Sequence, residues 1–194
     1  MKTKHIKNIS GNTVSETKGN EDSGLVPFQE GEKWGFCDAD QNVVIPAVYS
    51  GVREFVEGLA TVRLKKKWGF VDTKGNTVIP PTYYWVGSFN DGLACVEPKK
   101  KWGLWGFLDT KGNMAIDYIY EDAESFSEGL ACVKLNGKYG FIDTKGNMVI
   151  DAICDFATSF IDGRALIEAF GDAGYIDAKG TVTWLTGQDY HEGK

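Results

Sequence analysis

The sequence predicts an all-β protein made of five tandem repeats. A segment that starts Lys-Trp-Gly-Phe and runs through an Asp and a turn into an apolar triplet recurs along the chain. β-Branched and aromatic residues dominate each copy, and turn residues separate its apolar runs. The copies occupy residues 33–46, 67–80, 104–117 and 138–151, with a degraded fifth copy at 173–184. A short insertion near residues 101–103 lengthens the third repeat.

Each copy predicts three short strands, which we call a, b and c. In the fourth repeat, strand a covers 129–135 and ends at Asn136-Gly137, a pair typical of tight hairpins because both residues accept positive φ. Strand b follows over 138–143. Gly146 suits the left-handed position of the next turn, and strand c covers 148–150. One repeat is therefore a β-meander.

The connectors between meanders carry apolar residues at every third position, a spacing that fits neither a strand nor an ideal helix. We expect a compact turn, in part 3₁₀, whose apolar residues anchor into the neighbouring repeat. These residues are Tyr49, Val52 and Phe55, then Tyr83, Val86 and Phe89, then Tyr120, Ala123 and Phe126, and finally Cys154, Ala157 and Phe160.

Apolar residues occupy both faces of each predicted meander, so neighbouring repeats must cover them. The glycine after each aromatic, such as Gly69 after Trp68, predicts a close approach of another backbone or of an aromatic ring. The predicted fold is five three-stranded meanders stacked as a curved solenoid. A closed five-bladed, propeller-like ring is the alternative, since a repeat of this length with three strands is small for a blade.

The repeats set the domain boundaries. We predict a polar, disordered tail over residues 1–23, a repeat domain over 24–187 and a C-terminal tail over 188–194. Individual repeats begin near residues 24, 58, 92, 129 and 163.

The Lys-Trp-Gly-Phe-x-Asp segment, joined to Phe-x-Glu-Gly-Leu-Ala-x-Val, closely resembles the bacterial WG (KWG) β-hairpin repeat. The resemblance implies a binding or scaffolding array, and it implies no shared catalytic residues. Tyr139 and Ala173 replace the Trp in the last two copies, and Gln41 replaces the turn glycine in the first. Atypical residues in the terminal copies are expected of capping repeats.

Enzymatic activity is not expected. The histidines are His5 and His191, both in the polar tails, so the repeats hold no partner for a serine or cysteine nucleophile. The repeated aspartates favour turn capping over hydrolytic chemistry because they recur at one turn position: Asp38, Asp72, Asp109, Asp143 and Asp177. Cys37, Cys95, Cys132 and Cys154 form no Cys-x-x-Cys pair, and we predict no metal and no cofactor. Cys95 and Cys132 are expected to be small buried residues.

The net charge of −6 disfavours nucleic acid as a partner. No apolar run is long enough for a membrane span, and the first residues lack the apolar core of a secretory signal. We therefore expect no membrane partner and a cytoplasmic location.

Binding residues are best sought outside the repeat pattern. Trp85 and Trp102 are candidate surface anchors, and we expect them at opposite ends of strand a. Two lysine turns, Lys65, Lys66, Lys67 and Lys99, Lys100, Lys101, are expected to form a basic edge opposite acidic connectors. The predicted function is a non-enzymatic repeat scaffold for an unidentified protein partner, with the oligomeric state left open. The alternative is a carbohydrate or cell-envelope binding module that uses exposed aromatics.

Overall fold

A computed structural model describes residues 7–8, 23–98 and 103–185, and this part of the chain forms five four-stranded antiparallel sheets. None of its residues forms a helix long and apolar enough to cross a membrane. The strands are, in the first sheet, β1 (Lys7–Asn8), β2 (Val26–Glu30), β3 (Lys33–Cys37) and β4 (Val43–Tyr49); in the second, β5 (Gly51–Val56), β6 (Leu59–Leu64), β7 (Lys67–Asp72) and β8 (Thr77–Tyr83); in the third, β9 (Trp85–Val86), β10 (Leu93–Glu97), β11 (Trp105–Asp109) and β12 (Met114–Tyr120); in the fourth, β13 (Asp122–Ala123), β14 (Leu130–Leu135), β15 (Lys138–Asp143) and β16 (Met148–Cys154); and in the fifth, β17 (Phe156–Ala157), β18 (Arg164–Ala169), β19 (Asp172–Asp177) and β20 (Val182–Trp184).

Strands a, b and c are confirmed in every repeat, but the connector differs from the compact turn expected for it. It begins as a fourth, edge strand: Asp122 and Ala123 pair with Lys134 and Val133 of strand a. It then leaves the regular ladder and rejoins strand a only at its far end, as at the Ser127–Leu130 bridge. The apolar residues at every third position of the connector therefore belong to a bulged strand. Four strands per sheet is the number found in a typical propeller blade.

The C-terminal tail predicted over residues 188–194 lies outside the described residues, and so does most of the N-terminal tail predicted over residues 1–23. Lys7 and Asn8 lie within that segment, yet they pair with Gln29 and Phe28 at the edge of the sheet. They occupy the place that a connector strand takes in the other sheets. This pairing is not predictable from the sequence, because a two-residue polar strand carries no apolar periodicity.

The hydrophobic core is divided among the gaps between sheets. Four buried clusters in the described chain each join one sheet to the next. In every gap the connector phenylalanine of the later sheet meets the strand b phenylalanine of the earlier sheet, edge to face or tilted. The ring centroids are 4.8 Å apart for Phe36–Phe55, 4.7 Å for Phe70–Phe89, 5.0 Å for Phe107–Phe126 and 4.9 Å for Phe141–Phe160. The expectation that connector residues anchor into the neighbouring repeat is confirmed.

The glycine of strand b is required by the backbone of strand c. Between the Tyr139–Cys154 and Phe141–Ile150 pairs, strand c bulges towards Gly140. A Cβ atom on Gly140 would lie 2.6 Å from the Ile150 carbonyl oxygen, far inside van der Waals contact. Equivalent approaches occur at Gly35, Gly69 and Gly106. The close backbone contact predicted from the sequence is therefore present.

Carboxylates also link consecutive sheets. In the second, third and fourth sheets, the turn before strand a carries an acidic residue whose carboxylate accepts a hydrogen bond from a glycine N–H of the following sheet. The pairs are Glu57 with Gly92 at 3.0 Å, Asp91 with Gly129 at 2.9 Å and Glu128 with Gly163 at 2.9 Å. These acidic residues and glycines therefore form a contact from one repeat to the next.

The outer face of the fifth sheet is more polar than the same face of the fourth. Arg164 and Tyr175 occupy the positions that Leu130 and Phe141 fill in the fourth sheet. The Arg164 guanidinium lies 4.6 Å from the centre of the Tyr175 ring. A polar outer face of this kind is typical of a capping repeat.

Replacing Gly140 with Ala is expected to lower the free energy of unfolding by about 1–3 kcal/mol, because the methyl group must displace the strand c backbone. Chemical denaturation with urea measures the change. Gly51→Ala is the matched control, since a Cβ there meets nothing nearer than 3.6 Å. An equal loss in both variants would show that glycine flexibility, and not crowding, explains the motif.

Candidate functional site

The hairpins between strands a and b all lie at one end of the stacked sheets, which we call the hairpin end. The connectors also begin there, because each connector runs antiparallel to strand a. The turns that carry Glu57, Asp91, Glu128 and Asp162 lie at the opposite end. Residues from different repeats therefore meet at the hairpin end.

The first lysine turn is part of this end. Lys65 and Lys66 are exposed and form the turn itself, while Lys67 opens strand b with its Nζ 5.8 Å from the centre of the Tyr84 ring. Lys65 and Lys66 both have left-handed backbone, with φ of 48° and 69°. The second lysine turn, Lys99, Lys100 and Lys101, and the neighbouring Trp102 lie outside the described residues.

The expected placement of Trp85 is wrong. We expected Trp85 at the end of strand a away from the hairpin, but it pairs with Glu97, the last residue of β10, next to the hairpin. The error came from treating the connector as a turn, whereas it runs back along strand a from the hairpin end.

The prediction that basic and acidic residues lie at opposite edges is also wrong, because the connector begins at the hairpin end. Glu121 lies at the hairpin end, where its carboxylate accepts a hydrogen bond from the Gly137 N–H at 3.1 Å. Asp122 lies beside it and accepts from the Tyr139 hydroxyl at 3.2 Å. Glu57 lies at the opposite end. The hairpin end thus combines lysines and carboxylates.

Trp85 is half-buried in an aromatic cluster. Its ring packs edge to face on Trp105 with a centroid distance of 5.0 Å. The Arg53 guanidinium, from the preceding sheet, lies 5.4 Å from the Trp85 ring and 5.0 Å from Trp68, and its Nη1 donates to the Val86 carbonyl at 2.8 Å. Trp85 therefore contacts its own array. Sequence reasoning missed Arg53 because its partners belong to two different sheets.

Two exposed phenylalanines at the hairpin end were also missed. Phe156 and Phe170 both lie in the fifth sheet, one at the start of β17 and one in the hairpin turn. Phe170 breaks the repeat pattern as Trp85 does, since the equivalent turn residues are Lys65 and Asn136. The same search for residues that depart from the pattern would have found it.

The repeated aspartates cap the turns between strands b and c, as the sequence predicts. Asp143 Oδ1 accepts from the backbone N–H groups of Lys145 and Asn147, each at 2.9 Å, and Oδ2 accepts from the Asn147 side-chain amide at 2.9 Å. The side-chain hydrogen bond is the largest of the effects that lower the Asp143 pKa. Asp38, Asp72, Asp109 and Asp177 also lie at such turns and have lowered pKa values.

The cysteines are buried, as expected for Cys95 and Cys132. Desolvation is the main cause that raises the pKa of Cys95 to about 11 and that of Cys132 to about 12. Cys95 Sγ lies 3.7 Å from Ser125 Oγ, and Cys132 Sγ donates to the Ala157 carbonyl at 3.8 Å. Both thiols are in the protonated, weakly nucleophilic form at neutral pH. Among the residues that the structure describes, no three His, Cys, Asp or Glu side chains are grouped closely enough to hold a metal ion.

Comparison with protein families matches this architecture. The family model described as WG containing repeat matches four times, over residues 34–68, 68–102, 105–139 and 139–168. No curated protein matches the sequence.

Solved structures resemble the chain in fold alone. Hsv2 from Kluyveromyces marxianus is 12% identical with a TM-score of 0.54, covering 80% of this chain and 57% of Hsv2. A eukaryotic initiation factor is 12% identical with a TM-score of 0.52, covering 82% of this chain and 51% of the factor. Both are β-propeller-like. The chain spans little more than half the length of either protein.

Replacing Asp143 with Ala is expected to lower stability at neutral pH and to matter less in acid. A carboxyl whose pKa is lowered by folding stabilises the protein above its unfolded pKa of about 3.9, and this contribution disappears as the pH falls through the native pKa. Urea midpoints measured from neutral pH to about pH 2 check this. Asp151→Ala is the control, because Asp151 is exposed outside the turn. A deficit independent of pH would contradict the role of the charge.

Folded protein is expected to react slowly with iodoacetamide at Cys95 and Cys132, because both thiols are buried and protonated. The same protein in urea should be alkylated quickly at both positions. Mass spectrometry of digested samples gives the rate at each cysteine. Rapid labelling of either thiol before unfolding would contradict their structural role.

Proposed function

This chain belongs to the family of WG containing repeats, and on that premise we propose that it is a non-enzymatic scaffold whose lysine turn binds an acidic surface of a partner protein. A repeat array offers a broad, rigid surface to which each repeat contributes side chains. Functional residues are then those that depart from the pattern required for folding.

One observation carries the proposal: Lys65 and Lys66 are exposed and hold left-handed backbone, with φ of 48° and 69°. Left-handed φ costs a residue with a side chain about 1–2 kcal/mol. The equivalent turn of the fourth sheet holds Asn136 and Gly137, which suit this backbone. Two adjacent lysines are therefore a poor choice for the turn, and binding of an anionic surface supplies a reason for them.

The geometry supports binding over catalysis. The repeated aspartates are engaged in turn hydrogen bonds, as Asp143 shows with both carboxylate oxygens. The Cys95 and Cys132 thiols are buried and have raised pKa values. Neither group has the accessible, activated form that acid–base or nucleophilic chemistry needs.

A protein partner is favoured over a carbohydrate. Sugars stack on open aromatic faces, but Arg53 lies over both Trp68 and Trp85, and Trp105 packs against Trp85. These three tryptophans thus already have partners within the described part of the array.

The test replaces the hairpin turn between strands a and b of the second sheet with the equivalent turn of the fourth sheet. Lys65→Asn with Lys66→Gly is expected to raise stability by about 1–2 kcal/mol, through relief of left-handed strain, and to reduce partner binding at least tenfold. Wild-type and variant proteins are cross-linked in the cells that make them, and the proteins attached to each are quantified by mass spectrometry.

Lys145→Ser, in a turn between strands b and c at the opposite end, is the matched control and should leave partner recovery unchanged. A variant that becomes more stable and still recovers the wild-type partners at full yield would contradict the proposal. Loss of the same partners in the Lys145 variant would also contradict it, since net charge alone would then explain recovery.

A further inference from the structure

Phe170 is the most unusual residue of the hairpin end. Its side chain is 79% exposed, and its backbone is left-handed with φ of 57°. A bulky aromatic residue at positive φ is a conformational outlier, and such strain is concentrated at functional sites. The equivalent turn residues, Lys65 and Asn136, are polar. Neither turn geometry nor burial explains a phenylalanine here.

A second exposed phenylalanine lies in the same sheet. Phe156 is 43% exposed and pairs across the sheet with Glu168, two residues before Phe170. Its equivalent in the third sheet, Trp85, is covered by Trp105. The fifth sheet has Ala173 at the Trp105 position. The small side chain leaves Phe156 without the ring that would cover it.

Acidic residues precede and follow the turn that carries Phe170. Glu168 is the cross-strand partner of Phe156, and Asp172 follows the Phe170 turn and pairs with Ala169. Both acidic residues are exposed, and within the described chain neither has a cationic partner at salt-bridge distance. Asp155, beside Phe156, is bonded to Lys138.

In the third and fourth sheets, a cation lies over an aromatic ring at the hairpin end. In the fourth sheet, Lys134 Nζ lies 5.1 Å from the centre of the Tyr139 ring. The Arg53 guanidinium covers Trp85 in the third sheet. The fifth sheet has Glu168 where the fourth has Lys134, so an acid replaces the cation. A cation from outside the repeat would find both an aromatic ring and a counter-charge.

We propose that Phe156, Glu168, Phe170 and Asp172, together the phenylalanine site, dock an extended segment of a partner protein that carries a Lys or Arg beside a large apolar residue. The cation lies between Glu168 and the Phe156 ring, in a contact like those that the array itself makes in its third and fourth sheets. The apolar residue packs on Phe170. Charge complementarity selects a basic segment over an acidic one.

The proposal rests on the chain being an interaction scaffold, but it uses a different sheet and the opposite charge from the lysine turn. The two contacts therefore fail independently. Partners with both an acidic surface and a basic-apolar segment would engage the sites of the second and fifth sheets together, with a gain in avidity.

The test pans a displayed library of random peptides on the full chain and measures enriched peptides by fluorescence polarisation. Enrichment of sequences that combine Lys or Arg with a large apolar residue is expected. Phe170→Asn, which places the fourth-sheet turn residue in the fifth, is expected to keep the fold and weaken these peptides at least tenfold. Ile161→Asn removes a side chain that is 69% exposed at the opposite end of the same sheet, and should change nothing.

A charge exchange separates recognition from structure. Glu168→Lys, the residue of the fourth sheet, should weaken the basic peptides at least tenfold and bind versions with Glu in place of Lys or Arg. Three results would each overturn the proposal. The first is a library that yields no enriched peptides, the second is enriched peptides that bind Phe170→Asn as tightly as the wild type, and the third is equal weakening of the basic and the Glu-containing peptides by Glu168→Lys. Retained partner cross-linking through Lys65 and Lys66 would then show that the scaffold function stands without this site.

Discussion

The contact between two phenylalanines in each gap between sheets is the interaction on which the rest of the structure depends. One sheet alone exposes apolar side chains on both faces, and the ring of each connector covers the strand b ring of the sheet before it. In a pair such as Phe141–Phe160, the connector that joins two sheets along the chain therefore also packs them together. Stability in such an array is approximately the sum of the contributions of the repeats and of the interfaces between them.

This arrangement divides the residues into two groups. Glycines, turn aspartates and connector phenylalanines are fixed by the backbone of the repeat, as Gly140 illustrates with an Ile150 carbonyl only 2.6 Å from its missing Cβ. Residues of the hairpin end are free to vary because the turn requires only left-handed backbone there. Lysines at 65 and 66 and a phenylalanine at 170 fill positions that Asn and Gly satisfy better. The binding functions proposed for this end follow from that freedom.

Prediction from the sequence succeeded where a local rule has one structural outcome. Asn136-Gly137 specified a tight hairpin, and the glycine of strand b specified a close backbone contact. It failed at the connector, where apolar residues at every third position described a bulged strand that local periodicity does not distinguish from a turn. That single error placed Trp85 at the wrong end and separated charges that lie together, because the direction of the connector decides which residues share an end.

The sequence by itself determined the number of repeats, their three main strands, the capping role of the aspartates and the burial of the central cysteines. The strands and the aspartate caps depend on neighbours within one repeat, where spacing is fixed by bond geometry. The number of repeats follows from recurrence along the chain, and the burial of the cysteines follows from their residue type. Only the tertiary structure decided the fourth strand, the covering of Trp85 by Arg53 and the exposure of Phe156 and Phe170. These features depend on contacts across sheets, or on whether a neighbouring side chain such as Ala173 is large enough to cover a ring. The sequence of one repeat does not show which side chains of the next repeat will pack against it.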